Sequence, residues 1–284
     1  MKAANPNTMV QKWVTTFVST SEHNTLSDGT GARAWEAPLV GFARGDDPLF
    51  AFLHEDIGSF YWTPLQAFHA AFPDHSATAG DVAVICWVLP QTSRAKDDNA
   101  RASDGPSETW ARSRHFGEIC NDELRRHMAA QFAQIGIPAA APVLTSGWGW
   151  GNSPKYGRAS NWSERHAAYV AGLGTFGLSD GLITRAGKAH RCGSVVARMQ
   201  LKPTPRPYHD IHEYCLFYNG GKCQACVNRC PVNAISPAGH NKKLCEAFVT
   251  GAAAAISQDR YNIPTTPCGL CQTAVPCASG IPRR

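Results

Sequence analysis

Eight of the eleven cysteines lie between residues 215 and 277, set among prolines and glycines. No other feature of the 284-residue sequence constrains the fold as strongly. In a reducing compartment thiols at this density are poor disulfide partners and good metal ligands, so their spacing decides what they hold. The run Cys215-x7-Cys223-x2-Cys226-x3-Cys230-Pro231 departs from the cubane-binding pattern C-x2-C-x2-C-x3-C-P only in its first gap, where Gly220 takes the expected cysteine position. Cys215 reads as the displaced first ligand. Downstream stand Cys245, the pair Cys268-x2-Cys271, and Cys277.

A 4Fe-4S cubane takes four thiolates, so eight cysteines make two clusters. In two-cluster ferredoxins the cysteine before the proline ligates the other cluster. That swap assigns Cys215, Cys223, Cys226 and Cys277 to one cluster, and Cys230, Cys245, Cys268 and Cys271 to the other. The competing arrangement is a pair of structural zinc sites, which also use C-x2-C pairs. Against it, a third cysteine crowds the first pair and Pro231 breaks the chain just after, a poor match to two separated knuckles. The other three cysteines, Cys86, Cys120 and Cys192, stand apart from one another and read as core packing.

With 43% apolar and 17% charged residues, the chain is too apolar for disorder and long enough for a large core plus a smaller domain. The expected organisation is an α/β (α+β) domain over residues 1–205, followed by a bacterial ferredoxin-like two-cluster domain over 206–284. Three prolines between Pro203 and Pro207 mark the linker.

Within the first domain, residues 8–20 predict a helix, and the apolar run 81–89, closed by Pro90, predicts a buried strand. The polar stretch 91–108 reads as a surface loop. Phe116, Ile119, Cys120, Leu124, Met128 and Phe132 recur at helical spacing over 114–134, and 137–144 follows as an extended segment. Residues 146–161, with Gly-Trp-Gly-Trp-Gly-Asn, suit a loop that meets a flat ligand through backbone and indole faces. A helix capped by Ser163 runs to Ala171, a glycine-rich turn covers 172–177, and 194–199 reads as a strand.

The formal charge of +5 and pI near 8.6 come from basic residues spread along the chain, with no recognition-module motif. A nucleic-acid partner is therefore not expected. The first residues hold no apolar signal core, no stretch of about 18 apolar residues follows, and no Arg pair precedes Arg125-Arg126. The expectation is a cytoplasmic chain without a membrane segment.

Gly172-Leu-Gly174-Thr-Phe-Gly177 satisfies the dinucleotide pattern G-x-G-x-x-G, but a helix precedes it and no acidic residue stands about 20 positions on, so a Rossmann site is rejected. The stretch from Trp162 through Ser-Glu-Arg-His-Ala-Ala-Tyr-Val-Ala-Gly-Leu-Gly to Gly177, the segment Ala186–Val196 and the cysteine framework together resemble the epoxyqueuosine reductase and reductive dehalogenase superfamily. The resemblance covers roughly residues 80–277.

It implies a C-terminal domain passing electrons singly to a cobalamin held by the N-terminal domain. Gly172, Gly174 and Gly177 would border that cofactor, and His166 and Tyr169 would supply a proton and a hydroxyl for catalysis. Two departures stand out. Arg158 occupies the place of an acidic proton donor in the tRNA-modifying members. The tyrosine and basic proton-delivery pair of the respiratory dehalogenases finds no counterpart.

The function expected is an iron-sulfur oxidoreductase acting on a small organic substrate and fed by a donor such as a ferredoxin or flavodoxin. The alternative is an electron-transfer module that serves a partner enzyme without an organic cofactor of its own.

Overall fold

A computed structural model describes residues 5–283. Its centre is a four-stranded antiparallel sheet in the order β1-β2-β8-β3, where β1 is Leu39–Arg44, β2 Ala83–Pro90, β3 Ala139–Ala140 and β8 His190–Ala197. Strand β2 pairs with β1 through Leu39 opposite Val88 and with β8 through Cys86 opposite Ser194. All eight of its residues are buried, which explains why it reads as an unbroken apolar run.

Helices cover both faces. Side chains alternate across the strand, so Ala83, Ile85, Trp87 and Leu89 meet α1 (Pro6–Thr20) and α5 (Glu108–Gln134). Val84, Cys86 and Val88 meet the opposite layer of α2 (Pro48–Ile57), α3 (Pro64–Ala71) and α6 (Glu164–Val170). Every strand pairing in the sheet is antiparallel, which makes the fold α+β and not a parallel α/β layer. Cys86, Cys120 and Cys192 all lie in these cores.

Two sequence expectations need correction. Residues 93–101 form helix α4 (Ser93–Arg101), capped by Thr92, where a surface loop was expected. Its buried residues are Ala95 and Asn99, so it docks through hydrogen bonds and carries no apolar stripe. The Asn99 amide bonds the Cys268 carbonyl, the Thr273 hydroxyl and the Ser107 N–H. Within 146–161, β4 (Trp150–Ser153) and β5 (Gly157–Ser160) pair as a hairpin, with Gly157 at φ +67° in the turn.

Strands β6 (Gly174–Phe176) and β7 (Leu182–Thr184) make a small ribbon between α6 and the C-terminal region. Beyond Pro203–Pro207, which carries no regular structure, come α7 (Ala225–Asn228), the short pair β9 (Ile235–Ser236) and β10 (Gly239–His240), then α8 (Lys242–Thr250) and α9 (Ala252–Tyr261). A separate apolar cluster holds this region together. It includes Leu178, Ile183, Ile235 and Val275 and several of the cysteines. No helix among the described residues is long and apolar enough to cross a membrane.

Candidate iron-sulfur and cofactor site

Cys215, Cys223, Cys226 and Cys277 line one cavity, together with Gly177, Ile183, Lys188 and Val275. The long first gap of the motif is taken up by a turn in which Gly221 sits at φ +70° and donates to the Phe217 carbonyl at 2.6 Å. Gly220 fills the expected cysteine position because the backbone there is at φ +155°, which only glycine adopts comfortably. Cys277 arrives from far along the chain. Its carbonyl accepts from the Lys188 N–H at 2.9 Å, beside a bond from Ala189 to Ala278.

Cys230, Cys245, Cys268 and Cys271 make the second group. Burial pushes the Cys268 thiol up to about 12, and the neighbouring thiolates of Cys271, Cys245 and Cys230 push the same way. Cys271 is raised by burial and by Cys245 and Cys230, with Lys188 acting against them. The Ala234 N–H donates to the Cys230 sulfur at 3.2 Å. Beside this group, His240 bonds Asp180 at 3.0 Å.

The donor set fits an iron-sulfur cluster, whose protein ligands can be thiolates alone: four thiols line the first cavity and four more make the second group. Burial pushes the Cys226 thiol up to about 11, with Cys271, Cys277 and Cys215 pushing the same way and Lys188 acting against them.

The three glycines singled out in the sequence are accounted for by packing within the chain. Gly172, at φ +79°, ends α6 in a Schellman arrangement: Leu173 N–H bonds the Ala168 carbonyl and Gly172 N–H the Tyr169 carbonyl. A side chain on Gly172 would press on Thr204 and Pro205, and one on Gly174 would overlap the Ile183 carbonyl. Gly177 faces Ile183 and lines the first thiol cavity. The segment thus runs from Thr204–Pro205 to the thiols, and its ends are at most about 18 Å apart by chain reach.

Thr204 and Pro205 belong to the rim of an open cleft of about 810 Å³, which also involves Asp47, Phe52, Tyr169, Arg206 and Tyr208. Arg206 pairs with Asp47 at 2.6 Å and donates to the Val170 carbonyl at 3.1 Å. Tyr169 stacks on Tyr208, with centroids 5.5 Å apart. Phe52 stands exposed at the rim, and the aromatic rings of Tyr169 and Tyr208 form part of the wall.

Of the two residues expected to be catalytic, only Tyr169 lines this cleft. His166 packs at a tilt against Phe176, with centroids 4.7 Å apart, and bonds the Ser163 hydroxyl at 2.9 Å. Burial pushes it down to about 4, which favours the neutral imidazole at pH 7. His190, bonded to the Leu182 carbonyl at 2.8 Å, is likewise held at about 4 by burial.

Both folded-state values lie below the unfolded value of 6.5. Their stabilisation is complete above about pH 6.5 and is lost as the pH falls toward 4. An acid titration followed by circular dichroism should show stability declining through that window, by up to about 3 kcal/mol per histidine. His190→Gln should flatten the decline, and an unchanged profile would remove His190 as its source.

Sequence reasoning missed Asn99, which ties α4 to the second thiol group, and Lys188. It also gave no role to the ion network at the start of α6. There Arg125, 3% exposed, reaches Glu118 at 3.1 Å, Asp122 at 2.6 Å and Glu164 at 3.2 Å. Burial would raise the Glu118 carboxyl, yet Arg191, Arg125 and Arg114 hold it at about 2. Ser194 donates to Glu164, whose carboxyl burial raises despite Arg125. This network fixes α6 against α5 and β8, and so sets where Tyr169 points.

No family model matches the sequence, and no curated protein does. Solved structures do. The catabolic reductive dehalogenase NpRdhA, in complex with 3-bromo-4-hydroxybenzoic acid, matches with a TM-score of 0.52 at 15% identity, over 96% of this chain and 37% of that one. An epoxyqueuosine reductase with an epoxyqueuosine-modified tRNA-Tyr stem loop matches with a TM-score of 0.50 at 16% identity, over 97% of this chain and 68% of that one. The chain therefore spans about a third of the dehalogenase's length. At these identities the likeness is one of fold, and the chain has the fold shared by epoxyqueuosine reductases and reductive dehalogenases.

Proposed function

We propose that the chain is an iron-sulfur reductase. In this reading residues 206–284 form a domain carrying two 4Fe-4S clusters, and residues 1–205 form a domain that offers the cleft at Tyr169, Arg206 and Tyr208 to a corrinoid. The observation that carries it is the gathering of eight cysteines into two sets of four, one of them walled by the segment that leads to the cleft. When bound, a corrinoid would supply a low-potential cobalt centre able to turn single electrons into a two-electron reduction. The chain's own part is to keep water from the thiol cavities, to hold Tyr169 against Tyr208, and to anchor the cleft through Arg206 and Asp47.

The test is anaerobic purification with iron, sulfide and cobalt analysis and visible spectra before and after adding cobalamin and a strong reductant. About eight irons per chain, with corrinoid bands that survive gel filtration and reduce through the clusters, support the reductase. About eight irons without corrinoid retention support an electron-transfer module serving a partner enzyme. A colourless protein with tetrahedral zinc would overturn both.

A second reading concerns the substrate, and it reopens the nucleic acid that composition argued against. One structural neighbour was solved with a tRNA stem loop. Here the hairpin β4–β5 exposes Trp150 with Arg158 stacked 4.5 Å from its ring, and Tyr156 with Lys155 and Lys242 over it. Aromatic faces among cations are what splayed bases stack on. Binding of an RNA stem loop that Trp150→Ala weakens would favour this reading, and no binding at low salt would remove it.

A further inference from the structure

Lys188 is 3% exposed, yet it is a lysine. Its ammonium donates to the Ser179 hydroxyl at 3.0 Å, and among the described residues no carboxylate pairs with it. Ser179 is itself buried. A desolvated ammonium with one neutral acceptor is costly, and chains keep such a charge only where an anion answers it. The groups around Lys188 that can take on a negative charge, once they ligate a metal, are thiols. It lines the same cavity as Cys215, Cys223, Cys226 and Cys277, and its N–H bonds the Cys277 carbonyl.

We propose that Lys188 is the built-in counter-charge of the cluster held by Cys215, Cys223, Cys226 and Cys277, and that its ammonium raises that cluster's reduction potential. This rests on the iron-sulfur reading above. A cubane with four thiolate ligands gains one negative charge when it accepts an electron from an external donor, and no bond is made or broken. A fixed cation in a low-dielectric cavity stabilises the reduced form more than the oxidised one. Lys188 acts on the cluster through charge, as a positioning residue for electrons.

The experiment is an anaerobic redox titration of the cluster-loaded protein, read by electron paramagnetic resonance, for the wild type and for Lys188→Gln, Lys188→Met and Lys188→Arg. Iron and sulfide are counted in each. Both neutral variants should reduce at lower potential, with the reduced-to-oxidised ratio at fixed potential falling tenfold or more, about 59 mV for a one-electron couple. Lys188→Arg should stay close to wild type. Should the neutral variants fail to load iron while Lys188→Arg loads it, the charge is needed to hold the cluster at all, which also supports the proposal. Neutral variants with an unmoved potential overturn it and leave the iron-sulfur reading standing. So does loss of clusters in all three variants, which would make the role one of shape. A wild type without iron overturns both.

Discussion

Replacing Cys226 with alanine should remove about half of the iron and sulfide and leave the remaining centre reducible. Cys226 is buried in the wall of the first thiol cavity, while Cys230, Cys245, Cys268 and Cys271 form the other group. A cubane deprived of one of four thiolates loses its cage, but its neighbour keeps all four. Cys271→Ala should give the complementary loss. Iron analysis of the two single variants and the double variant measures this directly. Complete loss in either single variant would mean that the two sites assemble only together, and no loss would remove Cys226 from the ligand set.

Replacing Arg125 with methionine should destabilise the fold by about 3–5 kcal/mol, the cost of breaking a buried ionic cluster by removing one partner. Its guanidinium lies among Glu118, Asp122 and Glu164 and also reaches the Cys192 carbonyl at 3.2 Å. Its Nε finds no partner, so the cluster is not ideally satisfied even in the native chain. Without Arg125, Glu164 stays buried with only the Ser194 hydroxyl to answer it. Urea unfolding of the variant checks the loss. Adding Glu164→Gln should return part of it, since the orphaned charge is then gone. A loss below about 1 kcal/mol would show the network to be peripheral.

Much of the framework was legible because its signals are local. Strand β2 announces itself through eight consecutive buried residues ending at Pro90, and α6 through Ser163 at its cap. The cysteine sets follow from spacing and one rule about the residue before proline. What could not be read was burial that depends on distant partners. Helix α4 presents Ala95 and Asn99 inward, and no hydrophobic period marks a helix that docks by amide hydrogen bonds. Lys188 looks like any surface lysine until residues 277–278 are laid along 188–189.

The glycines show how one signal can have two sources. Their pattern suggested a ligand, yet Gly172 is a helix cap and Gly174 makes room for a neighbouring carbonyl. Glycine reports that something comes close, and a single sequence does not say whether that is a cofactor or the chain itself.

The two thiol sets are nested along the chain. Residues Cys230 to Cys271 of the second set lie wholly inside the stretch that separates Cys226 from Cys277 in the first. Joining Cys226 to Cys277 in an otherwise open chain closes a loop of roughly fifty residues, but once the inner set is joined the remaining slack is only about ten. The difference in closure entropy is on the order of 1 kcal/mol. Joining either set shortens the loop that the other has to close, so each closure would favour the other by about that amount, whichever comes first.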